Sequence, residues 1–342
     1  TPDYSSAASD VYKRQIQLYQ NQVFVTDNVE GIVPEFLGLL KGVIDSPDIP
    51  LNVSRSYLQS DASVKKITNY ITRKVADKLN SIFKNERENL ESKWNDIKVV
   101  IEYGMLTEDK FYDKAESFNL YPTVDDKYFT YEELEKKIKK LQTDKDGNLI
   151  ILYAQNKDEQ YTYIESAKEK GYEVLLLDSP IIPHLMQKLE SKKEKIKFSR
   201  VDSDTLENLI KKDEEVISKL TDEEKEKLKP MIETAVENEK YTVQLEALDS
   251  NSMPFMLAQP EFMRRMKEMQ QTGGGAMGNL PDMYSLIVNT NHELVGKILN
   301  TRTEKKRNSL IKQSIDLAKL SQNNLTGKDL TEFINRSIDL IK

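Results

Sequence analysis

The chain has 342 residues, a length that suits two or three domains at roughly 150 residues each. Lys plus Arg number 50 and Asp plus Glu 57, for a net charge of −7. That acidic balance argues against a nucleic-acid binder, whose affinity rests on clustered basic side chains. Cysteine is absent, which excludes disulfides, zinc ribbons, iron–sulfur clusters and thiol nucleophiles. No run of about 18 apolar residues occurs, so no membrane-crossing helix is expected. The two histidines, His184 and His292, are far apart. His292-Glu293 begins as a zincin motif would, but Gly296 stands where the second histidine belongs, so no metal site is expected.

Residues 1–14 are polar and aperiodic and read as a tail, with no basic-then-apolar leader pattern. Partial alternation over 16–26 predicts a strand. Val33, Phe36, Leu37, Leu40, Val43 and Ile44 then form one stripe at helical spacing, which predicts a helix. The prolines of SPDIP (46–50) must end it. Amphipathic helices are expected over about 62–85 and 87–103, followed by a short helix and irregular surface to 130. From 131 the pattern becomes helix, strand, helix, strand, helix, strand through 200. Buried runs such as NLIILYA (148–154) and EVLLLD (173–178) predict a parallel or mixed sheet with a βαβ crossover. The charge-rich stretch 202–240 reads as two solvated helices at a domain junction. Beyond it come a strand at 241–248, a methionine-rich helix at 260–271 and a glycine loop at 272–279. A strand at 284–288 and helices at 291–300, 304–320 and 327–341 complete the chain.

TGGGAMG (272–278) lacks the Lys-Ser or Lys-Thr of a phosphate-binding loop, so a plain loop is expected. No Ser-His-Asp set or carboxylate pair stands out by spacing. Three features carry more. In LNVSRSYLQ (51–59), Arg55 and Gln59 are four apart and would share a helical face. A guanidinium there suits an anionic oxygen such as phosphate, or simply a local surface pairing. In PEFMRRMKEMQQ (260–271), Phe262, Met266 and Met269 fall on one face, with Arg264, Arg265, Lys267 and Glu268 over much of the rest. Met263 and Phe255 are expected to thicken the apolar side. Such a stripe is either plain core or an adaptable binding surface. Finally, Leu310, Ile311, Ile315, Leu317, Ala318 and Leu320 line one terminal helix, and Leu330, Phe333, Ile334, Ile338 and Ile341 the other. Such a hairpin must bury its stripe on its own domain or on a second copy, as a two-fold four-helix bundle.

Together these segments resemble the heat shock protein 90 chaperone family, of the bacterial HtpG type. The resemblance is carried by residues 18–61, by IPLNVSRS (49–56), with Ser56 at the family's usual acid, and by GYEVLLLDSPI (171–181). The methionine helix and final hairpin follow in family order, so the likeness covers about 16–342. It implies an α/β (α+β) multidomain fold. In it, 15–61 ends a large middle subdomain with a catalytic loop, 62–130 is a helical connector and 131–215 a small αβα sandwich. Residues 216–342 would form a C-terminal dimerisation domain, and the family's N-terminal ATP-binding domain would be missing. It further implies that Arg55, assisted by Gln59 and with Asn52 nearby, reaches the γ-phosphate of ATP held with Mg by that other domain. No cofactor is then expected on this chain alone, and the chain alone is not expected to be an ATPase. Phe262, Met266 and Met269 would contact unfolded or partly folded clients. Leu330, Phe333, Ile334, Ile338 and Ile341 would join a homodimer. A cytoplasmic location is implied, with neither nucleic acid nor membrane as partner. The competing expectation is a self-contained small-molecule-binding α/β enzyme, using the 148–200 sheet and Arg55.

Overall fold

The computed structural model describes residues 16–26, 33–38, 42–45, 47, 62–213, 216–236, 240–273 and 283–341. The chain divides into two compact units, one reaching to Leu120 and including Tyr128–Tyr131, the other made of Tyr121–Lys127 and everything from Glu132 on.

In the first unit, β1 (Ile16–Gln20) and β2 (Val23–Thr26) form an antiparallel hairpin. A single strand was expected over this stretch. Asn21 and Gln22 both take positive φ, 49° and 67°, as the two central residues of a tight primed turn require. The helix expected over 33–44 does not form either. Glu35–Leu37 is one 3-10 turn, and β3 (Gly42–Asp45) pairs in parallel with β1, setting Leu18 beside Ile44. Gly38 and Gly42 weaken a helix across this stretch, while β-branched Val43 and Ile44 favour the sheet edge.

Helix α1 (Ala62–Asn85) follows the predicted stripe. The next expected helix is two, α2 (Arg87–Ser92) and α3 (Trp94–Thr107), because Lys93 leaves helical angles at φ −105°, ψ 0°. Helix α4 (Asp109–Ala115) closes this unit's helical part. Its core includes Trp94, Ile101, Met105 and Phe111, all buried. The rings of Phe36 and Phe111 pack at a tilt of 43° with centroids 4.6 Å apart, both against Gly104.

The second unit holds two three-stranded sheets. Strand β4 (Leu149–Ala154) lies between β5 (Val174–Leu176) and β6 (Ile196–Arg200), all parallel. A central strand covered on both faces reads as a continuous apolar run, and all six residues of β4 are buried. Helix α5 (Tyr131–Gln142) ends in Gln142, which donates to the Ile150 carbonyl at 3.0 Å and accepts from the Glu173 amide at 2.6 Å. Helices α6 (Tyr161–Glu169) and α7 (Ile182–Lys192) make the crossovers. The 202–240 stretch contributes a single turn, α8 (Leu206–Leu209), and α9 (Asp222–Glu233). A full capping box at Thr221 and Glu224 starts α9, satisfying two amide donors at once.

The second sheet is mixed. Strand β9 (Tyr284–Asn289) runs parallel to β7 (Tyr241–Glu246) and antiparallel to β8 (Phe255–Ala258). Strand β8 was not anticipated. Phe255, expected beside the methionine helix, is instead a core residue of this sheet. Helices α9, α11 (Glu293–Asn300) and α12 (Glu304–Leu320) cover it through Ile232, Val295, Ile298, Ile311 and Ile315. Helix α10 (Glu261–Gly273) follows β8, and α13 (Gly327–Ile341) follows α12.

Gly104 gives the first test. A Cβ there would meet Phe36 at 2.7 Å and Phe111 at 2.9 Å. Gly104→Ala gains helix propensity of about 1 kcal/mol, but overpacking two clamped rings costs roughly 1–3 kcal/mol. The expected net result is a lower unfolding midpoint, followed by emission of Trp94, the chain's single tryptophan. An unchanged or raised midpoint would refute the clamp.

Candidate functional site

Helix α10 begins immediately after Pro260 and lies across the ends of β4 and β6. The charged side of this helix is its anchor. Arg264 is only 3% exposed, and Arg265 is half-buried. The Glu261 carboxylate collects donors from three elements. Through Oε1 it accepts from the Tyr153 hydroxyl at 2.7 Å, from Arg264 Nη2 at 2.6 Å and from Arg265 Nε at 2.6 Å. Through Oε2 it accepts from the Arg200 backbone amide at 3.1 Å. Arg264 also donates to the Tyr153 hydroxyl and to Glu268.

Arg265 reaches α7 and β6. It donates to Glu190 at 2.8 and 3.3 Å and to the Phe198 carbonyl at 2.6 Å. Glu190 in turn accepts from the Phe198 amide at 2.7 Å. Arg200 is spent on Asp202, at 2.6 and 3.1 Å, and on Gln155 at 2.9 Å. Burial pushes the Glu261 carboxyl upward, but Arg264, Arg265, Tyr153 and the Arg200 amide outweigh it, so its pKa is held below the ordinary value. Burial first, then Glu261, raises the Tyr153 hydroxyl, which stays protonated.

With Glu261, Arg264 and Arg265 bonded to the fold, the apolar stripe is left towards a groove. Phe262 is 72% exposed, and Met266 and Met269 are half-buried. All three, with Pro260, form one wall of an open groove of about 1080 Å³. Pro183, Ile196 and Leu209 contribute apolar surface, and Lys197, Lys211, Asp204, Glu190, Glu261 and Arg265 bring charge to the lining. The three predicted residues are thus brought together. Sequence reasoning gave Arg264 and Arg265 only as part of the helix's polar remainder and missed the network. The available signal was Glu261 at i−3 and i−4 from the two arginines, a spacing that pairs charges on one helix.

The remaining predicted residues fall elsewhere. Asn52, Arg55 and Gln59 lie outside the described residues. On α13, Phe333 is buried and Leu330 half-buried, while Ile334 and Ile338 are 47% and 48% exposed. The Ile341 side chain is outside the described ones. Helix α13 is fastened to α12 by Arg336 on Asp316, by Gln313 on Ser337 at 2.9 Å and by Lys312 on Glu332 at 3.1 Å. The stripe expected on α12 splits into two faces. Ile311, Ile315 and Ala318 pack on the sheet, whereas Leu317 and Leu320 are exposed. Among the described residues no cluster of His, Cys, Asp or Glu could hold a metal ion, and no helix is long and apolar enough to cross a membrane.

The sequence profile of the Hsp90 protein family matches residues 2–336. The chain belongs to the Hsp90 family. Among its relatives, the chaperone protein HtpG of Bacteroides thetaiotaomicron is 45% identical, with 97% of this chain and 59% of the relative covered. HtpG of Porphyromonas gingivalis is 48% identical over 91% of this chain and 46% of its own length. HtpG of Bdellovibrio bacteriovorus is 26% identical over 84% and 47%. The chain therefore spans about half the length of the curated relatives it matches.

The lowered Glu261 pKa fixes a sign. Its contribution to stability is complete above the ordinary carboxylate range and is lost as pH falls through the depressed folded-state value. Glu261→Gln should cost roughly 1–3 kcal/mol at neutral pH, because Arg264 and Arg265 each lose one of two carboxylate partners and keep Glu268 and Glu190 respectively. It should also flatten the decline in stability on acidification, read from urea midpoints by far-ultraviolet circular dichroism. Parallel acid limbs in the two proteins would exclude Glu261 as the group responsible.

Proposed function

We infer that this chain is part of an HtpG-type chaperone, contributing a surface for non-native polypeptides and a means of pairing two copies. The observation that carries the first role is the inverted polarity of α10. Its Glu261, Arg264 and Arg265 are engaged by the fold, and its Phe262, Met266 and Met269 line an open groove. Apolar surface held in that way binds by burial, worth about 25 cal/mol per Å², with little demand on partner sequence. Unbranched methionine side chains adapt to different occupants.

The second role is supported by the exposed apolar strip of Leu317, Leu320, Ile334 and Ile338. A second copy covering that strip through α13 would form a two-fold helical bundle with its partner. Two client surfaces tied together would then act at high effective concentration. For Arg55, with Gln59 and Asn52, the proposed part in ATP hydrolysis is neutralising the γ-phosphate in a site on another domain. A cytoplasmic setting belongs to the same proposal.

The competing small-molecule enzyme finds no support in the first sheet of the second unit. Open parallel sheets bind ligands beyond the carboxyl ends of strands, where the strand order reverses. Here Glu261 and Arg264 are bonded to Tyr153 and the Arg200 amide at that position, and the polar recess beside them, bordered by Gln155, Gln160, Arg200 and Asp202, holds only about 160 Å³.

Two outcomes are expected. Wild-type chain should bind a permanently unfolded probe, such as reduced and carboxymethylated α-lactalbumin. Met266→Asp combined with Met269→Asp should weaken binding by roughly tenfold or more, since each buried methionine contributes about 1.5–3 kcal/mol. Equal binding by both proteins would remove the groove from the proposal. Separately, light scattering across a dilution series should give a mass near twice 39.5 kDa. Ile334→Glu with Ile338→Glu should leave a monomer with an unchanged far-ultraviolet spectrum. A wild-type monomer at every concentration would refute pairing through this strip.

A further inference from the structure

Ten methionines and no cysteine make thioethers the chain's only sulfur. Their environments differ sharply. Met105 and Met186 are 0% exposed, whereas Met266 and Met269 line the open groove side by side. One turn or less separates them on α10, so both sulfurs belong to the same wall as Phe262. Oxidant reaching this groove meets no competing thiol on the same chain.

We propose that Met266 and Met269 are a reversible oxidation site, at which a hydroperoxide converts the groove wall from apolar to polar. Each thioether gives an electron pair to the distal peroxide oxygen. The O–O bond breaks, an S–O bond forms, and with hydrogen peroxide the leaving fragment departs as water after proton transfer. Sulfur is oxidised by two electrons and the peroxide reduced by two. Reversal consumes two thiols of a methionine sulfoxide reductase, which end as a disulfide with release of water. The consequence for binding rests on the groove reading above.

The ion network confines this chemistry to the groove. A free amphipathic helix could roll an oxidised face towards solvent and offer another in its place. Helix α10 cannot, because Arg264 is tied to Glu261 and Tyr153, and Arg265 to Glu190 and the Phe198 carbonyl. The sulfoxides therefore stay on the wall. Since neither thioether belongs to the sheet's central core, the fold tolerates the change. Oxidation alters what the groove holds without unfolding the unit.

The test uses the whole chain treated with hydrogen peroxide, then peptide mass mapping and binding to the carboxymethylated α-lactalbumin probe. Sulfoxide should accumulate at Met266 and Met269 while Met105 and Met186 remain thioethers. Probe affinity should fall roughly tenfold relative to the untreated chain, with an unchanged thermal midpoint, and return after methionine sulfoxide reductases A and B. Met266→Leu with Met269→Leu, compared with its own untreated sample, should lose the peroxide response. Met283→Leu should keep it, although Met283 is 43% exposed. Failure of the untreated chain to bind the probe would sink the groove reading, while the sulfoxide map would still judge the site. Binding that survives full oxidation of both residues would overturn the switch alone. So would protection of Met266 and Met269 equal to that of Met105.

Discussion

One carboxylate, that of Glu261, decides how helix α10 sits, and nearly everything notable about the groove depends on it. Glu261 is the first residue of the helix, where an anion is favoured by the backbone dipole. From there it draws a strand-end tyrosine, two arginines of its own helix and a backbone amide of the neighbouring strand. Three of these donors belong to groups that burial alone would make expensive. Removed from water, Arg264 and Arg265 are tolerable only because the carboxylates of Glu261, Glu190 and Glu268 meet them at hydrogen-bond distance.

Such a cluster adds little net stability, because desolvation offsets most of the attraction between its charges. What it supplies is orientation. A hydrophobic anchor would hold α10 with many near-equivalent rotations, whereas planar guanidiniums bonded to fixed oxygens admit one. The cost of leaving any member unpaired penalises every other rotation. The exposed position of Phe262 thus follows from the burial of Arg264, roughly opposite it on the helix. An apolar stripe turned outward would ordinarily be driven inward by water. Here the polar side has the stronger claim on the interior.

Sequence periodicity disclosed most elements of the fold because helices such as α1 and α5 bury one regular stripe, and β4 is a continuous apolar run. Where it misled, a local pattern competed with a distant partner. Val33 to Ile44 has helical spacing, yet parallel pairing with β1 takes Val43 and Ile44 into a strand. Strand β8 is only four residues long, too short for any period to register. At the site, Phe262, Met266 and Met269 were legible as one face, but which way that face points was not. That direction is set by Tyr153, which lies 108 residues from Glu261 in sequence. Spacing along a helix can pair Glu261 with Arg264 and Arg265, but it cannot show that a tyrosine hydroxyl and a strand amide complete the set.

Rigid backbone and compliant side chains are combined in α10, and the combination has a physical logic. Binding costs the entropy of whatever must be ordered. A helix already locked by its charged face contributes almost none of that cost, so the burden falls on side chains alone. Methionine has three rotatable bonds and a polarizable sulfur, which lets one wall fit occupants of different shape. Phe262 adds a large, stiff apolar surface at the mouth of the same wall. Weak selectivity and a fixed location are then compatible. The buried ions determine where contact is made, and the thioethers leave open what makes it. The same division explains why polar change at the sulfurs is felt by an occupant rather than by the fold.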